Sequence, residues 1–174
     1  MGQIGQIIAS AATPTLLYAE RLLVGVTPAI VARLARPGEV ELKSNHPAFI
    51  LGHLSLYPPK VLERLNQPLG AAAYPPAYET LFKSGVECQD DPEGTIYLPM
   101  DALTKQFFAG YRAAQTAVAA APDELLCSPN PAEGRMLEMF PILGSMLSFY
   151  LTGHPQSHLG QLSAWRRAMG MPVA

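Results

Sequence analysis

The chain has 174 residues, enough to bury a full core, and 15% of them are charged against 49% that are hydrophobic. A formal charge of −2 and the lack of a basic run leave no electrostatic footing for nucleic acid. Apolar runs are cut by Pro, Gly or charge before they reach the roughly 20 residues of a membrane span.

Taken in order, residues 3–24 read as a helix with an apolar face of Ile4, Ile7, Ile8, Ala11, Leu16 and Leu17, a kink where Thr13 precedes Pro14, and a stop at Gly25. Thr27-Pro28 reads as a cap and first-turn proline opening a short helix through Leu34. After a polar connection at 36–44, Asn45 reads as the cap of a second long helix running to Leu65, with Pro58-Pro59 bending or breaking it one turn past His53.

Residues 66–98 form the longest irregular stretch, rich in Pro, Gly, Asp and Tyr, with one helical turn around Tyr78–Phe82. A helix of about twenty residues is roughly 30 Å long and extended chain covers about 3.3 Å per residue, so this stretch is long enough to cross a bundle. It also supplies Tyr74, Tyr78 and Tyr97 as candidates for the wall of a binding site.

A third helix from Pro99 to Ala121 carries the clearest stripe in the chain: Leu103, Phe107, Tyr111, Ala114 and Val118. It holds no histidine and no inward carboxylate, so it fills the core. Pro122–Leu126 reads as a single turn, and Ser128-Pro129-Asn130-Pro131 as a stop. A final helix is expected from Ala132 to Met169, kinked or restarted around Gly153, with Gly170 and Pro172 ending it. The resulting expectation is one all-α domain over 1–174, a four-helix bundle. The long crossover between helices 2 and 3 gives it up-down-down-up order.

The chemistry-bearing residues are histidines. His154 and His158 are four residues apart, on the stripe that runs through Met136, Phe140, Leu143, Leu147 and Leu151 to Gln161 and Trp165. Both imidazoles therefore point inward, at ligand spacing. A metal site needs a third protein group. His53 lies on the stripe of Ile50, Tyr57, Val61 and Leu65 and faces inward too, whereas His46, in the first turn, is expected to face solvent. Pro155, between the two late histidines, would kink the helix or restart it with His154 as cap.

Leu51-Gly52-His53-Leu54 early in the second helix, followed by a terminal His154-x-x-x-His158-x-Gly160-Gln161, resembles the DinB family, also called DinB/YfiT-like. That resemblance implies a four-helix bundle with His53, His154 and His158 around a divalent metal. It further implies, as expectations, a homodimer and thiol-dependent transferase or isomerase activity using a low-molecular-weight thiol as cosubstrate.

Three neutral imidazoles suit Zn, Ni or Fe among the divalent transition metals and leave the ion Lewis acidic with open positions. Such an ion activates water or holds a thiol as thiolate, so metal-assisted hydrolysis of a small molecule stands beside thiol transfer. A non-catalytic, stress-related binding bundle that keeps metal for stability is the third reading. Gln161, one turn past His158, could accept a ring N–H or face the open site, and Tyr57 is a further pocket candidate. Gly160 would let a neighbouring helix approach. No Gly-x-Ser-x-Gly turn supports a serine hydrolase. Cys88 and Cys127 lack metal or redox spacing and read as reduced thiols of a cytoplasmic protein, and no positive segment precedes Ile7–Ala12 to make a signal peptide.

Overall fold

The computed structural model describes residues 2–174, and among these every regular element is helical. Helix α1 spans Gln3–Leu23 and runs through Pro14, with Gly25 in the left-handed region (φ 78°) at its end. Its first N–H groups are not capped locally. The Asp123 carboxylate accepts from Gln3 N at 3.1 Å and Ile4 N at 2.9 Å instead. The short helix expected over 27–34 is a single turn closed by Ile30 N and Val31 N on Thr27 O. From there the chain is pinned by Asp90, which accepts from Leu34 N and from the Arg33 guanidinium.

The second helical segment divides into α2 (Pro47–Leu54) and α3 (Tyr57–Arg64). Pro58 and Pro59 fall in the first turn of α3, where their missing N–H groups cost little. Asn45 does not cap α2. His46 does, its Nδ1 accepting from Phe49 N at 3.2 Å while Nε2–H donates to Gln89 O at 2.9 Å. His46 is fully buried, contrary to the solvent-facing placement its position suggested.

After a 3-10 turn at Gly70–Ala72, helix α4 covers Ala77–Phe82 and α5 covers Met100–Ala120. All five residues of the α5 stripe are buried, and α5 packs along α1 and α3. Burying one such aromatic or aliphatic side chain contributes about 1.5–3 kcal/mol. Gly5 makes the α1–α5 approach close, because a Cβ there would strike the carbonyl oxygen of Val118.

Beyond the turn of helix α6 (Asp123–Leu126), the expected continuous final helix is three pieces: α7 (Arg135–Met139), α8 (Leu143–Leu151) and α9 (Gly153–Ala168). Pro141 makes the first break, since it can neither donate nor leave the residue before it helical. Asn130, buried, holds that break by donating to Phe140 O at 2.7 Å and accepting from Ala132 N at 3.0 Å. The second break lies at Thr152 (φ −127°, ψ −73°). Its consequence is that His154 and Pro155 enter the first turn of α9, with Thr152 rather than His154 in the flanking position.

The buried apolar residues of α1, α2, α5, α8 and α9 form a common hydrophobic cluster. No described helix is long and apolar enough to cross a membrane. Both cysteines are free, Cys127 exposed and Cys88 half-buried.

Candidate metal centre

His53 comes from the last turn of α2, and His154 and His158 from the first turns of α9. One nitrogen of each lies within 4.8 Å of the others. His154 Nε2 and His158 Nε2 are 3.2 Å apart. Two nitrogens each about 2.0–2.1 Å from one ion stand roughly 3.0–3.4 Å apart, so this pair has the spacing of adjacent ligands.

The far sides of two rings are fixed. His53 Nδ1–H donates to Phe82 O at 2.7 Å, and His158 Nδ1–H donates to Gln161 Oε1 at 3.1 Å. Those bonds select the tautomer that leaves each Nε2 with a free lone pair toward the cluster. Gln161 is itself oriented, because its Oε1 also accepts from Asn45 Nδ2 at 3.0 Å. His154 differs: its Nδ1 is buried and makes no hydrogen bond among the described residues. Packing holds that ring instead, with Tyr57 4.1 Å and Phe149 5.7 Å away between ring centres.

Their surroundings favour the neutral form of all three imidazoles. Burial is the largest cause for each. It pushes His154 down to about 3, with His158 and His53 adding to the effect. It also lowers His53 and His158, against the opposing bonds to Phe82 and Gln161. A neutral, half-buried ring with an aligned lone pair is the ligand form of histidine. The donor set fits a divalent transition metal: three imidazole nitrogens within 4.8 Å of one another, one pair at ligand spacing and two rings oriented from behind.

Of the other residues singled out from the sequence, Tyr57 adjoins the cluster, with its hydroxyl 3.5 Å from His53 Nε2. Tyr74, Tyr78 and Tyr97 do not line it. Tyr78 and Tyr97 pack on Phe82, and Tyr74 stacks on Tyr78 while donating to Glu79. Tyr97 instead borders a separate groove of about 980 Å³ beside Pro28, Val31 and the start of α5. Gly160 is exposed with nothing near its missing Cβ, so it admits no neighbouring helix. Beside the cluster, a glycine that does admit a neighbouring helix is Gly52, where a Cβ would lie 2.5 Å from atoms of the Phe82 ring.

Sequence reasoning missed Phe82 and Asn45. Phe82 acts through a backbone carbonyl, which carries no side-chain signature, and Asn45 had a plausible local role as a cap that hid its long-range one.

No protein-family model, curated protein or solved structure matches this chain.

Proposed function

We propose that the chain is a divalent-metal-binding protein of the DinB type, its ion held by His53, His154 and His158. We further propose that it acts as a metal-dependent S-transferase using a low-molecular-weight thiol. The observation that carries the reading is the convergence of three imidazoles from α2 and α9, one nitrogen of each within 4.8 Å of the others, with no carboxylate among the donors. The family reading also proposes a four-helix bundle in up-down-down-up order, its long members being α1, the α2–α3 pair, α5 and the α8–α9 pair. When bound, an ion with three neutral ligands supplies Lewis acidity and keeps a coordinated thiol in its nucleophilic thiolate form.

The protein's own contribution is orientation and exclusion of water. Phe82 O and Gln161 Oε1 hold two rings in the ligand tautomer. Tyr57 and Phe149 flank the third with aromatic surface, backed by Tyr150, which lowers the local dielectric and strengthens every charge interaction inside.

The test is metal content by mass spectrometry on protein purified without a histidine tag, beside His158→Ala. Near-stoichiometric metal that falls sharply in the variant supports the site. Loaded protein is then assayed with electrophiles, with and without added thiol. Turnover that needs no thiol would replace transfer with hydrolysis, and failure of both proteins to take up Zn or Ni would sink the metal reading.

A further inference from the structure

Lys60 on α3 places its Nζ 4.9 Å from the centre of the Tyr57 ring, and that ring lies 4.1 Å from His154. The Lys60 side chain is exposed, and the ion pairs among the described residues do not include it. Its ammonium thus stands one aromatic ring away from His154. Glu79, on the neighbouring helix α4, is engaged by the Tyr74 hydroxyl at 2.6 Å. Three neutral imidazoles leave both charges of a divalent ion uncompensated. The loaded site is therefore cationic, with Lys60 adding to it and no carboxylate ligand offsetting it.

The wall beside Lys60 is aromatic. Tyr57 and Tyr150 lie 5.2 Å apart between ring centres, and Phe140 stacks on Phe149 at 4.8 Å and 27°. Tyr57, Phe140 and Phe149 are each only partly buried, so aromatic surface beside His154 is in part open to water.

From this juxtaposition we propose that the mouth of the histidine site binds a small organic anion with a flat apolar body, an aromatic carboxylate being the simplest example. Lys60 is the residue that selects its charge, and the Tyr57–Phe149 wall selects its body. A neutral molecule of the same shape gains the ring contacts but forgoes both cationic partners, while a small aliphatic anion gains the charge but not the rings. The inference deepens the metal reading and rests on it.

The probe is benzoate, titrated into the full chain by calorimetry in metal-free and Co(II)-loaded form, with acetate and benzyl alcohol as controls. The Co(II) absorption bands report metal uptake separately. Saturable benzoate binding to the loaded protein, tighter than acetate or benzyl alcohol, is expected. Lys60→Gln should weaken it by about fivefold at low ionic strength, and added salt should shrink that difference. Lys60→Arg should restore most of the affinity. Equal affinity in Lys60→Gln, equal binding of benzyl alcohol, or no saturable heat from benzoate overturns the proposal. Absence of Co(II) bands overturns the metal reading instead, a result visible before any benzoate is added.

Discussion

Asn45 and Gln161, 116 positions apart in the sequence, are joined by a hydrogen bond of 3.0 Å, and through Gln161 Oε1 that bond reaches His158 Nδ1. The amide of Gln161 is thereby fixed with its oxygen toward the imidazole. Without Asn45 it is free to turn its NH₂ to a ring nitrogen that also carries a proton. Asn45→Ala should therefore weaken metal binding about tenfold, the usual scale for a partner behind a ligand. Competition with a chromophoric chelator measures it. Because His46 rather than Asn45 caps α2, the metal-free variant should melt close to the parent. A loss well above the roughly 1 kcal/mol of that one hydrogen bond would show that Asn45 supports α2 as well.

The His46 cap makes stability depend on pH. Burial is the main cause that holds this imidazole below its ordinary pKa of 6.5. The unfolded chain takes up a proton near that value, and the folded chain only at lower pH. Stability is thus fully present above about pH 6.5 and lost as pH falls through the window below it. Protonating Nδ1 would also set an N–H against the Phe49 N–H. Urea unfolding of metal-free protein at about pH 7.5 and about pH 5.5 should show a loss that His46→Asn reduces by about 1 kcal/mol. An identical pH dependence in the variant would show that His46 takes no part. The three cluster histidines, also lowered, contribute with the same sign to both proteins.

Gly52 couples the packing of α4 to the metal site. An added methyl at Gly52 meets the Phe82 ring, and Phe82 O is the acceptor for His53. Gly52→Ala should lower stability by about 1–3 kcal/mol through overpacking and weaken metal binding as well. Gly160→Ala, at an exposed site with open space, should be neutral or slightly stabilising. Thermal melts of the two variants, with and without metal, separate these outcomes.

Metal removal should be legible in the melting curve. An ion that binds only the folded chain stabilises it by about 2.7 kcal/mol when free metal is one hundred times its Kd. Chelator should lower the melting temperature of the parent, and His158→Ala should show little response. Equal shifts in both would place the metal elsewhere.

The α5 stripe was readable because five apolar positions repeat at helical spacing with no proline to interrupt them. Inward placement of His53, His154 and His158 followed from the same periodicity. Periodicity also misled where it was allowed to outvote proline: Met136 and Phe140 extend the later stripe in phase, yet Pro141 ends α7 before it can join α8. Thr27-Pro28 has the chemistry of a helix start, but the chain departs toward Asp90 after one turn, a tertiary contact with no local sign. His46 was placed in solvent because its first-turn position carries no phase. Its burial depends on Gln89, in a loop whose path no local pattern dictates.

Helix α1 is completed by residues far downstream of it. Its opening N–H groups bind Asp123, and carbonyls beside its far end, Leu22 O and Val24 O, bind the buried guanidinium of Arg166 at 2.8 and 2.6 Å. Both partners lie more than one hundred positions downstream, and in proteins most of a helix's stability comes from tertiary contacts. A chain whose later segments are not yet in place therefore leaves α1 frayed and exposed, and that interval is the one in which a chaperone has most to protect.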